Sequence, residues 1–392
     1  MKKSIALFAL LTTSIISFAQ NKSIEFEHGT FTELLAKAKK ENKMIYIDCY
    51  TVWCGPCKWM AKNVFTNDTV ADFYNKNFIN AKIDMEKGEG IDLAKKYDIR
   101  AYPTMLFVNA DGEQLHRTCG SSLSADFIKT GKNALSSDTR LATYTANFNG
   151  GKVTAPYANT YFSMLQNACQ SYSKEVSDYF SFAKKEDLTS RSTWTIIYNF
   201  IDDYSSKTFT DFEAARDAYA KLYSVDSVEN KINNVYTNGL YSAIQNKDTK
   251  GYEMLKTKLR GSKTKDAEKI ILEADLKLYQ RNGDWTNYAI HASEFVSKYT
   301  SSNAGDLNSF AWTFYEHVDE KAMLEKAESW SKKACELDDN YPYNDTYAAV
   351  LYKLGKKSEA KVIAQKAIGI AKKNGDDYKE TSVLLEKIES LK

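Results

Sequence analysis

Cys54 and Cys57 are separated by Gly55 and Pro56, with Trp53 before the pair and Lys58 after it. The pair stands where a short apolar run, Met44-Ile45-Tyr46-Ile47, gives way to a helical pattern through Trp59, Met60 and Val64. A thiolate at the start of a helix faces free backbone N–H groups and the positive end of the dipole, which lowers its pKa. A lower pKa enlarges the thiolate fraction available for disulfide exchange. Two intervening residues let the two sulfurs meet in a loop that opens and closes. Two other readings of the pair exist. A structural disulfide closing so short a loop removes little chain entropy. A zinc site needs two more ligands, and the remaining cysteines are scattered while His28, His116, His291 and His317 form no paired motif. Reversible dithiol/disulfide chemistry is the reading adopted, without metal or cofactor.

The elements that must hold this pair alternate between helix and strand from about residue 24 to 137. Phe31, Leu34, Leu35 and Ala38 have helical spacing, with Thr30 as N-cap. Strands are expected at Met44–Ile47, Phe78–Ile83, Thr104–Asn109 and Glu113–Arg117, the last two flanking an Ala110-Asp111-Gly112 turn. Helices are expected over Ile91–Tyr97 and Leu123–Leu135. The order βαβαβαββα, with a crossover in its first half and a hairpin in its second, predicts a mixed sheet covered by helices.

On these residues, the stretch from about Ile24 to Leu135 resembles the thioredoxin superfamily. It is most similar to secreted bacterial thioredoxin-like proteins and to the C-terminal periplasmic domain of thiol:disulfide interchange proteins. Three positions beyond the Trp-Cys-Gly-Pro-Cys run match. Asp48, six residues before Cys54, corresponds to a buried acid that moves protons to and from the second cysteine. Lys82 stands where the family often has a lysine near that acid; a plain surface lysine is the other reading. Tyr102-Pro103-Thr104 matches the loop whose cis proline lines the substrate groove. The resemblance implies Cys54 as attacking thiolate, exposed, and Cys57 as shielded resolving thiol. Asp48 would be proton acceptor, with Lys82 in support, and Trp53, Gly55, Pro56, Tyr102 and Pro103 would shape the groove. Tyr102 replaces the smaller residue usual before that proline. Cys49, Cys119, Cys169 and Cys335 are read as buried small hydrophobes, with Cys119 a spectator or a regulatory thiol.

At 392 residues the chain exceeds one ordinary core. Lys2 and Lys3, the apolar Ile5–Phe18 and the small-x-small Ser17-Phe18-Ala19 read as an export signal over 1–19. The run falls short of the roughly 20 residues a spanning helix needs. Removing it leaves 51 basic and 51 acidic residues, a net charge near zero that argues against nucleic-acid partners. The thioredoxin-like domain is assigned to 20–137, a helical region to 138–299, and helical repeats to 300–392. Within the last, Leu324–Asp338 and Leu354–Ile368 resemble second helices of tetratricopeptide units, their alanine pairs Ala327/Ala334 and Ala360/Ala367 offset by 33 residues. Asp339 replaces the exit-turn proline of that family, and a weaker copy runs from Leu276 through Gly283 to Val296. The fold class is therefore an α/β thioredoxin-like domain followed by an all-α repeat region. The function expected is an exported, periplasmic or otherwise secreted thiol:disulfide oxidoreductase, with reductase favoured over oxidase or isomerase. Its partners would be cysteine-bearing exported proteins and a membrane electron donor. The rival reading is an adaptor whose helices bind partners and whose thioredoxin-like domain is a docking platform.

Overall fold

The computed structural model describes residues 22–151, 153–184 and 188–390. The proposed export signal lies outside the described residues. Two compact units divide between Ile201 and Asp202, inside the stretch assigned by sequence to the middle helical region.

The first unit runs α1 (Phe31–Glu41), β1 (Met44–Tyr50), α2 (Gly55–Asn63), α3 (Asp68–Asn77), β2 (Phe78–Asp84), α4 (Gly90–Lys96), β3 (Thr104–Val108), β4 (Gln114–Cys119), α5 (Ser124–Leu135), α6 (Leu141–Asn149), α7 (Ala155–Asn167), α8 (Ser173–Phe182) and α9 (Arg191–Phe200). The sheet order is β2-β1-β3-β4. β1 and β2 are parallel, whereas β3 is antiparallel to both of its neighbours. Thr30 caps α1 in a reciprocal box with Glu33, as its position suggests. Among the described residues no leading strand forms before α1. Glu27 makes a single bridge to Ala81, while the amides of Ile24 and Glu25 go instead to Phe65 O and the Asn75 side chain. The helix after the cysteines runs to its C-cap Val64, as the apolar pattern predicts, and a further helix that the pattern did not announce, α3, starts at its own cap Asn67.

Strand alternation divides the core into two layers. Ile45, Ile47 and Cys49 pack with α1 and α4 through Phe31, Leu34 and Leu93. Tyr46, Met105 and Phe107 pack on the other face with Met60 and Val64, next to α3 and α5. There Tyr74 stacks on Phe127 at 4.1 Å and donates its hydroxyl to the Phe127 carbonyl at 2.7 Å. Buried apolar area at about 25 cal/mol per Å² is the dominant favourable contribution, and large rings such as these bury the most per residue.

Helices α6 to α9 belong to this same unit. The Leu141 amide donates to buried His116 Nδ1 at 3.1 Å, tying the start of α6 to β4. α6 and α7 both pack against β4. Phe148, Phe162 and Phe200 then form a second aromatic core with ring separations of 5.7 Å. This packing brings Cys119, at the end of β4, to Cys169 beyond α7, and the two form a disulfide. The expectation of two isolated thiols is corrected: 50 residues separate them, so only the docking of α7 on the sheet edge reveals the pairing. Cys49 is fully buried and its thiol is pushed far up by burial, so it stays an inert packing group. Cys335 is partly buried, its thiol raised to about 11 by burial.

In the second unit, helices Lys321–Leu337, Tyr341–Lys353 and Lys357–Asn374 pack in succession. Ala327, Ala334, Ala360 and Ala367 are all fully buried, as small residues at close helix contacts must be. At the turn between the first two helices, Asp339 accepts Asn344 Nδ2 and Lys366 Nζ, both at 2.7 Å. Asn340 caps the next helix, and Pro342 occupies its first turn. Side-chain hydrogen bonds thus close the turn where the repeat family uses a proline.

Candidate functional site

The site grows from the end of β1. After Tyr50 the chain turns at Thr51, whose carbonyl accepts the Cys54 amide at 3.2 Å. Cys54 is the N-cap of α2, with extended backbone, and its Sγ accepts the Cys57 N–H at 3.1 Å. Pro56 sits in the first turn, where an amide would have no partner within the helix. Cys54 and Cys57 are joined by a disulfide with Cα atoms 5.3 Å apart. A Cβ placed on Gly55 would meet nothing within 4 Å, so the turn is uncrowded at that residue.

Each cysteine is 2% exposed, which differs from the expected contrast between an open Cys54 and a shielded Cys57. The cap geometry is the reason. Cys54 turns its sulfur inward over the first turn of α2, where it collects the Cys57 amide. What distinguishes the two is therefore that contact: a helix-end N–H stabilises negative charge on Cys54 Sγ.

Asp48 is fully buried on β1, paired in register with Lys82 of β2 and Met105 of β3. Alternation puts it on the Tyr46 face, the face covered by the helix that carries Cys57. Neither carboxylate oxygen has a hydrogen-bond partner among the described residues. Lys82 Nζ stands 3.2 Å from Oδ2, in ion-pair range but off the line of a hydrogen bond. Burial pushes the Asp48 pKa up and the Lys82 charge only partly restrains it. Lys82 is no plain surface lysine. Its side chain is 27% exposed, and its ammonium lies 4.8 Å from the Tyr50 ring centroid.

The Tyr102–Pro103 bond is cis, and Tyr102 meets Trp53 edge-on with ring centroids 6.0 Å apart. That contact brings the proline loop beside the cysteine turn. The indole N–H of Trp53 donates to both oxygens of Glu86, at 3.1 and 3.0 Å, although the Trp53 side chain stays largely exposed. Sequence reasoning missed Glu86; nothing in its spacing marks it, since it lies on the turn after β2. Gly120, at φ +86°, donates its amide to Pro103 O at 2.8 Å and anchors the loop from the β4 side.

A mixed sheet with a cysteine pair capping a helix, a buried acid and a cis-proline loop defines a dithiol–disulfide protein. The thioredoxin family profile matches residues 22–132. Thioredoxin H4 of Arabidopsis thaliana is 34% identical over 105 residues, which is 26% of this chain and 83% of that protein. Thioredoxin-1 of Drosophila melanogaster is 37% identical over 68 residues, 17% of this chain; the chain spans only 59% of that relative's length. Among solved structures, a candidate disulphide-isomerase from Bacteroides thetaiotaomicron is 45% identical, covering 30% of this chain and 98% of that one, with a TM-score of 0.29. The chain belongs to the thioredoxin family through its first unit.

Proposed function

We propose that this chain is an exported thiol:disulfide oxidoreductase that reduces disulfides of other exported proteins through Cys54 and Cys57. The observation that carries the reading is the Cys54–Cys57 bond at the N-terminus of α2, with the Cys57 amide aimed at Cys54 Sγ. In the reduced form that amide stabilises a Cys54 thiolate. The thiolate attacks a substrate disulfide, one substrate sulfur leaves, and a mixed disulfide forms. Cys57, deprotonated toward Asp48, then attacks Cys54 Sγ and releases the substrate as a dithiol, regenerating the intramolecular bond. Trp53, Gly55, Pro56, Tyr102 and Pro103 line the groove that receives the substrate chain, and Lys82 holds the Asp48 carboxyl in reach of its charge.

Export to the periplasm, or secretion, is supported by the Lys2–Ala19 pattern and by the second disulfide, a bond that persists in oxidising compartments. No helix among the described residues is long and apolar enough to cross a membrane. In this reading a separate membrane donor supplies the electrons, and the tetratricopeptide-like helices of the second unit recruit a partner. Gly-Pro between the cysteines favours the reducing direction. The test is the midpoint potential of the Cys54/Cys57 couple. A value near the −270 mV typical of thioredoxin supports the reductase, and one near −120 mV supports an oxidase. A pair with no reversible couple would leave the adaptor reading.

A further inference from the structure

The Cys119–Cys169 disulfide is not part of the exchange chemistry above, yet it adjoins the same groove. Cys119 ends β4 opposite Thr104, the residue after Pro103. Its neighbour Gly120 gives its amide to the Pro103 carbonyl. At the other end, Cys169 follows the C-terminus of α7 with φ +50°, in the left-handed region where glycine or asparagine is the easy choice. Gln170 continues that helix end by donating to Leu165 O at 2.9 Å. Both residues are partly exposed, so attacking thiolates can reach the bond, unlike the thiol of Cys49.

We propose that Cys119–Cys169 is a second thiol–disulfide site, open to external dithiols, whose redox state sets how firmly the Tyr102–Pro103 loop is held. A thiolate of the external dithiol attacks one of the two sulfurs, the Cys119–Cys169 bond breaks, and the other sulfur leaves as thiolate and takes a proton from water. The second thiol of the reagent then displaces the bound cysteine. The protein gains two electrons and two protons, and the dithiol becomes a disulfide. Once the bond is open, the end of β4 is no longer tethered to the α7 corner. The Gly120–Pro103 hydrogen bond, which joins β4 to the groove loop, then opens more readily. The groove consequence rests on the exchange reading of Cys54–Cys57; the second site itself does not.

The test uses the full chain carrying Cys54→Ser and Cys57→Ser, equilibrated in dithiothreitol redox buffers, alkylated and mapped by mass spectrometry. Positions 119 and 169 should be blocked together when oxidised and become alkylated together in one reversible transition. Amide exchange of Gly120 should become about tenfold faster in the reduced protein, the signature of an easier local opening. Alkylation of either cysteine without reductant, a bond that withstands dithiothreitol in the folded protein, or unchanged Gly120 exchange after reduction would each overturn the proposal. In a second arm, Cys119→Ser with Cys169→Ser in the otherwise native chain should raise KM for a peptide disulfide while leaving exchange with a small aromatic disulfide unchanged. If that variant does not fold, the selectively reduced protein carries the measurement. Loss of all exchange by the unaltered chain would instead reject the function proposed for Cys54–Cys57 and leave the alkylation result standing.

Discussion

Asp48 is fully buried, and neither of its carboxylate oxygens has a hydrogen-bond partner among the described residues. A carboxyl with a raised folded-state pKa binds more protons in the native than in the unfolded chain, so it lowers stability as pH climbs above the ordinary carboxylate range. The loss is complete once the folded pKa is passed. Asp48→Asn keeps the shape and removes that penalty, and urea unfolding at pH 7 should find the variant as stable as the native chain or more so. Exchange should move the other way. If Asp48 is the proton acceptor proposed for Cys57, insulin reduction at pH 7 should slow by on the order of 10²-fold in this variant. An unchanged rate from pH 6 to 8 would remove Asp48 from proton transfer. His116 has the opposite sign. Burial depresses it to about 4, and its Nδ1 must stay unprotonated to accept the Leu141 amide. Its contribution is whole above pH 6.5 and fades as pH falls toward 4, a span worth about 3 kcal/mol. His116→Gln, which cannot titrate, should flatten the acid limb of the first unit's stability curve. A variant whose stability falls just as steeply with acid would show that the His116–Leu141 contact is not the acid-sensitive one.

Helix contacts set the next scale. Ala360 is fully buried where Lys357–Asn374 packs on Tyr341–Lys353. Enlarging it to Phe should overpack the pair and cost roughly 1–3 kcal/mol, read as a lower denaturant midpoint. Tolerance of Phe there would mean that the helices are not held at alanine distance. What could be read from sequence at this level had a local cause. Thr30 announces the start of α1, Ala110-Asp111-Gly112 announces the hairpin, and the alanine spacing announces the close helix faces. What could not be read depends on contacts between distant segments. The leading strand dissolves because Phe65 and Asn75 compete for its amides. Cys119 finds Cys169 only after α6 and α7 have docked on β4, and Glu86 finds Trp53 only across the turn after β2. The concealment of Cys54 likewise follows from its sulfur acting as a helix cap, which the motif alone does not disclose.

At the scale of the whole chain, the question is how a redox unit ending at Ile201 and a helical unit beginning at Asp202 share the work. The two readings of the protein differ in where partners bind. If the first unit chooses substrates by its groove, partners trapped on the cysteines should be the same with or without residues 202–392. If the helical unit recruits them, the trapped set should shrink when it is removed, while exchange with a small disulfide persists. Trapping depends on the order of attack. Cys54 Sγ receives the helix-end amide, so it should attack first, and Cys57 should complete the release. Cys57→Ala should therefore accumulate mixed disulfides through Cys54, identifiable by mass spectrometry, whereas Cys54→Ala should accumulate few. Both cysteines are equally covered in the disulfide form, and the difference is expected from thiolate stability. It should accordingly persist at pH 6, where an ordinary thiol is almost wholly protonated. Equal trapping by the two variants would reject the assigned roles, and no trapping by either would favour the adaptor. With trapping established, repeating it on Cys57→Ala truncated after Ile201 decides between the two units: an unchanged partner set would assign recognition to the groove, and a depleted one would assign it to the helices.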